Sequence, residues 1–534
     1  MGFLGRKGRD GAEGATRAFF GIALLAALLV SSCWTVDLTG LGTGESTEAA
    51  SGTGVGPVTG FGSVKLGGVE FADGSGTTVT DDQGRGLADL VEGMRVTVRG
   101  TIAADYLSGT ADSVTIEREV RGPVDDNGVS LESNALRVLG QSVLVTPMTV
   151  MVQSGGAEFT LADLKDQLDG GWYPGLEIHG AAEDNGTIHA AYIGWEQDAV
   201  VADDNVALRG KIEGLSVVAG TFFVGDQEVD YRNLPSGGRV DWPATGLANG
   251  LFVDVRGYID AVGGSGTVRT DRSGNRIAVL TASLGGRSDR VTVEGYVLSG
   301  GSASFMMSVP GGTATVTSGV APTGDTFAPR KKVRVEGKVN GTSGDALQAS
   351  SVTVVKTNDV LIEGAPEGVP TSGDTMTLLG KTIEVDRFTL YRDGTGAARE
   401  NFGLASLSTA DTVRVVGWFD DSVGRQKVVA ARVERLDVPP SGTVTLQGPV
   451  VTAVTAPLIT ILGINVVTDD AHTDYFDRGG VPISGQSAFF LRLAALGSGT
   501  VVQVRNGVFN ASSFRIDPPS TGSPMEVEIV TINN

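Results

Sequence analysis

The sequence predicts an all-β protein, a tandem array of about six small OB-like five-stranded β-barrels. Three observations predict it. An alternating strand that ends in glycine returns about every 80 residues. A glycine-bearing opening strand and a Leu-Gly turn precede it in fixed order. An apolar stretch with helical spacing falls between the third and fourth strands.

The glycine-ended strand is clearest as Gly93-Met94-Arg95-Val96-Thr97-Val98-Arg99-Gly100 and Gly250-Leu251-Phe252-Val253-Asp254-Val255-Arg256-Gly257. Weaker copies are Leu176–Gly180, Lys332–Gly337, Thr412–Gly417 and Val501–Arg505. The terminal glycines 100, 180, 257, 337 and 417 lie 80, 77, 80 and 80 residues apart, a spacing that chance does not produce. Such period-2 alternation buries one face of each strand and wets the other.

The opening strand is read at Gly56-Pro57-Val58, Gly122-Pro123-Val124, Gly210-Lys211-Ile212, Gly295-Tyr296-Val297, Glu363-Gly364 and Gly448-Pro449-Val450. The Leu-Gly turn is read at Leu66-Gly67, Leu139-Gly140, Leu379-Gly380 and Leu462-Gly463, with Val224-Gly225 as a variant and a blurred copy at Val309-Pro310-Gly311. Each copy closes on an alanine followed three residues later by an apolar side chain, as in Ala111/Val114 and Ala430/Val433. Helical spacing appears at Leu87/Leu90/Val91, Leu161/Leu164/Leu168, Leu404/Leu407 and Phe489/Phe490/Leu493. Five strands with a helical turn between the third and fourth is the element order of an OB barrel. The expected divisions are 1–32 (leader), 33–54 (flexible Gly/Ser/Thr-rich tether), and barrels at 55–119, 120–204, 205–288, 289–359, 360–437 and 438–534. With short linkers, the expectation is an elongated string of separately folded barrels.

These anchors together resemble the bacterial lipoprotein module catalogued as domain-of-unknown-function 5666 (DUF5666), most closely over residues 55–200. The resemblance implies a small all-β module in an exported lipoprotein and implies no activity.

The N-terminus points the same way. Arg6, Lys7, Arg9 and Arg17 precede an uncharged run from Ala18 to Ser32. That run is too short to cross a bilayer core of about 30 Å, which takes roughly 20 apolar residues, so it reads as a signal peptide. Val30-Ser31-Ser32-Cys33 resembles the lipobox of bacterial lipoproteins, and Cys33 is the one cysteine in the chain. The resemblance implies acylation at Cys33 and anchoring to a membrane. Trp34 stands where aspartate would retain the protein in the inner membrane, so an outer-membrane location is expected. No cysteine is left for disulfides despite the oxidising destination. The chain carries 41 basic and 62 acidic side chains for a net charge of −21. Such a surface repels phosphate backbones and argues against nucleic acid as a partner.

Candidate chemistry is thin. Gly380-Lys381-Thr382 has the end of a phosphate loop, but Thr375 stands where its first glycine belongs and the segment reads as a turn into a strand. The chain has three histidines and no Gly-x-Ser-x-Gly turn, which disfavours a serine–histidine hydrolase. Acidic doublets such as Asp81-Asp82 and Asp125-Asp126 read as Asx turns facing water more readily than as calcium ligands. In the hairpin from Leu176 to Tyr192, alternation places His179, His189 and Glu177 on one face, a candidate zinc or copper site. Trp172, Tyr173, Tyr192 and Trp195 cluster in the second copy, as sugar-stacking groups or as the plug of a small barrel. No catalytic residue and no cofactor beyond the lipid is expected. The sequence therefore suggests a non-catalytic envelope lipoprotein, an extended binding or spacer module whose partner is an envelope protein or polysaccharide. The alternatives are a saccharide- or metal-binding protein using the second barrel, and a hydrolase with a carboxylate site between barrels.

Overall fold

The computed structural model describes residues 49–533 except 264–265, 369–372, 397–399, 423 and 451–454. The expected leader, Cys33 and most of the expected tether lie outside them. Among the described residues the chain is all-β, with two short α-helices, α1 (Leu161–Asp169) and α2 (Gln486–Leu496). No helix among the described residues is long and apolar enough to cross a membrane.

Its strands form six OB-like barrels on a five-strand plan, here modules 1 to 6, with some of the five strands split into shorter segments. Module 2 shows the plan most completely. Strand Val120–Ser130 pairs antiparallel with Ala135–Val138, which pairs with Gln141–Gln153. The helical segment α1 follows, and then strands Gly175–Ala182 and Ile188–Gln197 pair with each other. The last strand lies parallel to the third, and the fourth returns to the first, which closes the barrel. The other modules keep the parallel third-to-fifth pairing and the first-to-fourth pairing.

The recurring glycines have steric causes. A Cβ at Gly100, Gly180, Gly257, Gly337 or Gly417 would overlap the carbonyl oxygen of Thr110, His189, Arg269, Gln348 or Val429 on the neighbouring fifth strand. A register shift sits beside four of them, so the 80-residue period is the period of a β-bulge. At Leu139-Gly140, Leu379-Gly380 and Leu462-Gly463 both turn residues are left-handed, with φ of 48° and 70° at the first and 54° and 74° at the last, whereas module 1 places the left-handed pair at Gly67-Gly68. That geometry suits a two-residue hairpin, and the strain at leucine is offset by burying its side chain. Leu139 lies over Gly122 and Leu462 over Gly448, so the opening-strand glycine makes room for the turn leucine.

The modules are joined in pairs through their first strands, contrary to the expectation of separate beads. Module 1 pairs with module 4 in parallel, Gly52–Val55 against Arg290–Val293. Module 2 pairs antiparallel with module 3, and module 5 with module 6. Three sheets of 12, 13 and 14 strands result. The pairs also touch one another, since Tyr391 donates its N–H to the Thr59 carbonyl and the Asn134 amide donates to the Thr531 carbonyl. Thr47–Asn534 accordingly form one unit. The tether expectation also needs correcting, because strand Ala50–Pro57 begins inside it. Gly52 and Gly54 look linker-like but lie beneath Ile102 and Phe71, where a Cβ would clash.

Candidate functional site

The largest concavity among those described is a cleft of about 590 Å³ between modules 2, 5 and 6. Its floor is built by cross-strand register. On strand Lys427–Leu436, period-2 alternation turns Arg432 and Glu434 away from the core valines and toward one face. Glu434 stands opposite Arg392 of strand Leu390–Asp393 on one side and Arg414 of strand Thr412–Asp420 on the other. Arg414 in turn stands opposite Glu363, and Glu363 opposite Thr445 of module 6. The row Arg392, Glu434, Arg414, Glu363 thus alternates in charge, one residue per strand, a favourable cross-strand arrangement.

Module 2 covers this row with the segment leading into α1. Glu158 accepts from Arg392 Nη1 at 2.5 Å through Oε1 and from Arg414 Nη1 at 3.0 Å through Oε2. Arg414 Nε donates to Glu363 at 3.1 Å, and Arg392 also donates to Glu434. Arg432 Nη1 reaches the Thr149 carbonyl at 3.2 Å, while its buried Nε has no hydrogen-bond partner among the described residues. Burial alone would push the Glu434 carboxyl up, but Arg432, Arg392 and Arg414 overrule it and hold it down to about 2. Burial lowers the Arg432 guanidinium.

A second ionic cluster fills the junction of modules 1, 2 and 3. Arg85 bonds Asp81 at 3.0 Å and Glu177 at 2.7 Å, and Arg209 bonds Glu117 at 2.6 Å. Asp82, joined to Arg118, and Asp254 complete it, both almost wholly buried. The acidic doublet Asp81-Asp82 therefore does not face water. Its carboxylates are 2% and 4% exposed because modules 2 and 3 close over them.

The structure separates the histidines. His179 Nε2 bonds Glu177 at 2.7 Å and Nδ1 bonds the Glu117 carbonyl at 3.0 Å, so oxygen acceptors occupy both ring nitrogens. His189 instead bonds Glu183 at 2.7 Å and stacks on Tyr296 of module 4. The bulge between His179 and Gly180 breaks the alternation that would have kept both imidazoles in one site. No group of three or more possible metal ligands occurs among the described residues. The aromatic cluster is divided as well. Trp195 packs edge-on against Phe159 in the core, and Tyr192 is buried in the core that module 1 forms. Tyr173 donates its hydroxyl to Asp126 at the surface, and Trp172 is exposed. The arginine row is the feature sequence reasoning missed. Its one trace was charge alternating with valine at Val413-Arg414-Val415 and Arg432-Val433-Glu434, which reads as a wet strand face.

Residues 363–434 match the family model described as Domain of unknown function (DUF5666). The match falls on module 5, which supplies the arginine row, and not on residues 55–200 where the motifs looked closest. No curated protein matches the chain. Among solved structures, one titled "drosophila Unr CSD456" is 15% identical, covering 44% of this chain and all of that one at a TM-score of 0.10. A likeness that loose bears on neither fold nor function.

The buried carboxylates make stability depend on pH. Lys332 and Arg334 overrule burial at Glu294 and hold it down to about 2, against an ordinary 4.5, as happens at Glu434. Carboxylates depressed in the folded state add stability above their unfolded value and lose it as pH falls from about 4.5 toward 2. His189, pushed down by burial, begins the loss earlier, as pH falls below 6.5. Glu119, pushed up by burial, acts in the opposite sense. The melting temperature is expected to fall steadily from pH 7 to pH 3, followed by circular dichroism. A melting temperature unchanged at pH 3 would show that these ion pairs add nothing.

Proposed function

We propose that this chain is a non-catalytic lipoprotein of the cell envelope, built from six copies of the DUF5666 module and anchored through Cys33, which presents a rigid binding body outside the cytoplasm. The observation that carries the reading is how the modules use their charged faces. Each pair shares a sheet through its first strands, and guanidinium–carboxylate clusters fill the junctions between pairs. The Glu177–His179 pair is sealed at 0% exposure for both side chains, beyond the reach of a substrate. The lipobox and the leader support the anchor, and multiple acyl chains make such anchoring stable.

Metabolic labelling with a fatty acid tests it. The native chain is expected to incorporate label and to fractionate with membranes, mainly the outer membrane in a cell that has two. Cys33→Ala is expected to carry no label and to accumulate as unprocessed precursor. Label on Cys33→Ala overturns the anchor.

A further inference from the structure

The arginine row lining the cleft is capped by a side chain from another module. Module 5 brings three guanidinium groups, Arg392, Arg414 and Arg432, to two carboxylates of its own, Glu434 and Glu363. The third carboxylate comes from elsewhere, as Glu158 of module 2. Its two oxygens are clamped by two different arginines, the arrangement by which proteins recognise a free carboxylate.

We propose that this cleft is a binding site for a carboxylated sugar, a hexuronate unit, and that Glu158 occupies the carboxylate position until the sugar displaces it. The proposal extends the reading of the chain as a binding body by giving that body a ligand.

Four observations carry it. First, Glu158 is the replaceable member of the cluster. Its side chain is 40% exposed, whereas Arg392, Arg432 and Glu434 are 6%, 8% and 1% exposed. Second, it follows an open glycine turn. Gly155 and Gly156 stand just before it at φ of 111° and 92°, with open space where a Cβ would be. Third, the buried Nε of Arg432 still lacks a partner, and an unpaired buried donor is costly enough to favour a ligand that supplies an acceptor.

Fourth, the lining suits a ring of hydroxyls better than a peptide. Thr445 and Asn506 offer a hydroxyl and an amide beside the arginines, in a cleft of ligand-binding size. A bound peptide strand would need an open sheet edge for its backbone. The floor offers none, since strands Val360–Gly364, Thr412–Asp420 and Lys427–Leu436 each have a partner on both sides.

The test is isothermal titration of the full chain in detergent with galacturonate and trigalacturonate, against neutral galactose and poly-glutamate. Saturable uronate binding is expected, with galactose at least about tenfold weaker, since the charged hydrogen bonds supply the difference. Arg414→Gln is expected to weaken uronate binding by about tenfold or more on the same ground. Glu158→Gln is expected to strengthen it several-fold, because the resident competitor loses its charge. Should Arg414→Gln fail to fold, Glu158→Gln carries the test alone, as it alters a partly exposed side chain. Equal binding of galactose and galacturonate, tighter binding of poly-glutamate, or unchanged affinity in Glu158→Gln each overturns the proposal. Any of these alongside normal acylation of Cys33 leaves the anchored-body reading standing, so the two failures are distinguishable.

Discussion

Asp254→Ala is expected to destabilise the chain by about 3–5 kcal/mol, and Asp254→Asn by nearly as much, because either change leaves buried positive charge without its partner. Asp254 alternates with the core residues Val253 and Val255 and is 1% exposed. Its carboxylate faces four guanidinium groups, those of Arg276 at 3.1 Å, Arg256 at 3.3 Å, and Arg118 and Arg209 at 3.8 Å. Burial works against the charge, but these arginines hold the carboxyl below its ordinary range. Asp82 and Glu117 compensate only part of that positive charge. Surface ion pairs contribute about 0–1 kcal/mol, so the size of the effect separates a sealed cluster from a solvated one. Urea denaturation at pH 7, followed in the first transition, measures it. A loss below about 1 kcal/mol would mean that water reaches the arginines and carries their charge.

The architecture was legible in the sequence because its repeated features are local and steric. Gly100 and its four counterparts sit where a fifth-strand carbonyl leaves no room for a side chain, so each module must spell glycine there. The Leu139-Gly140 turn needs two left-handed residues and a glycine beneath the leucine, and both leave a mark in the letters. The partnership of modules left none. The first strand of module 1 joins that of module 4, more than 230 residues away, through main-chain hydrogen bonds that any side-chain pattern allows. The site was hidden for a related reason. Arg432 and Glu434 alternate with buried valines as any solvent-facing pair would, and only the approach of Glu158 turns that face inward. Alternation failed at His179 and His189 because one bulged residue shifts every later side chain to the other face.

A chain ended at Ser288, which removes modules 4 to 6, is expected to lose structure in module 1 while modules 2 and 3 keep theirs. Module 1 lies first in the chain, yet it leans on module 4. Its strand Ala50–Pro57 runs between Arg95–Ile102 and Arg290–Gly301, so the truncation turns an interior strand into an edge. Val55, 1% exposed, belongs to the hydrophobic core of module 4 and would face water. Arg95, buried at 3% exposure, would lose the Glu294 carbonyl at 3.0 Å, and the Ile102 carbonyl would lose Arg290 at 2.7 Å. Tyr106 would lose the Gly337 carbonyl at 2.6 Å. Modules 2 and 3 keep their shared junction, Arg121 opposite Ala207 and Val120 opposite Leu208, and module 2 closes its own barrel. Hydrogen exchange read by mass spectrometry distinguishes the outcomes. Amides of Gly52–Val55 should exchange at least about tenfold faster in the truncated chain, a change of about 1.4 kcal/mol in local opening, while those of Ile188–Gln197 hold their rates. Full protection of Gly52–Val55 after truncation would mean that module 1 stands alone, and that its pairing with module 4 adds no stability.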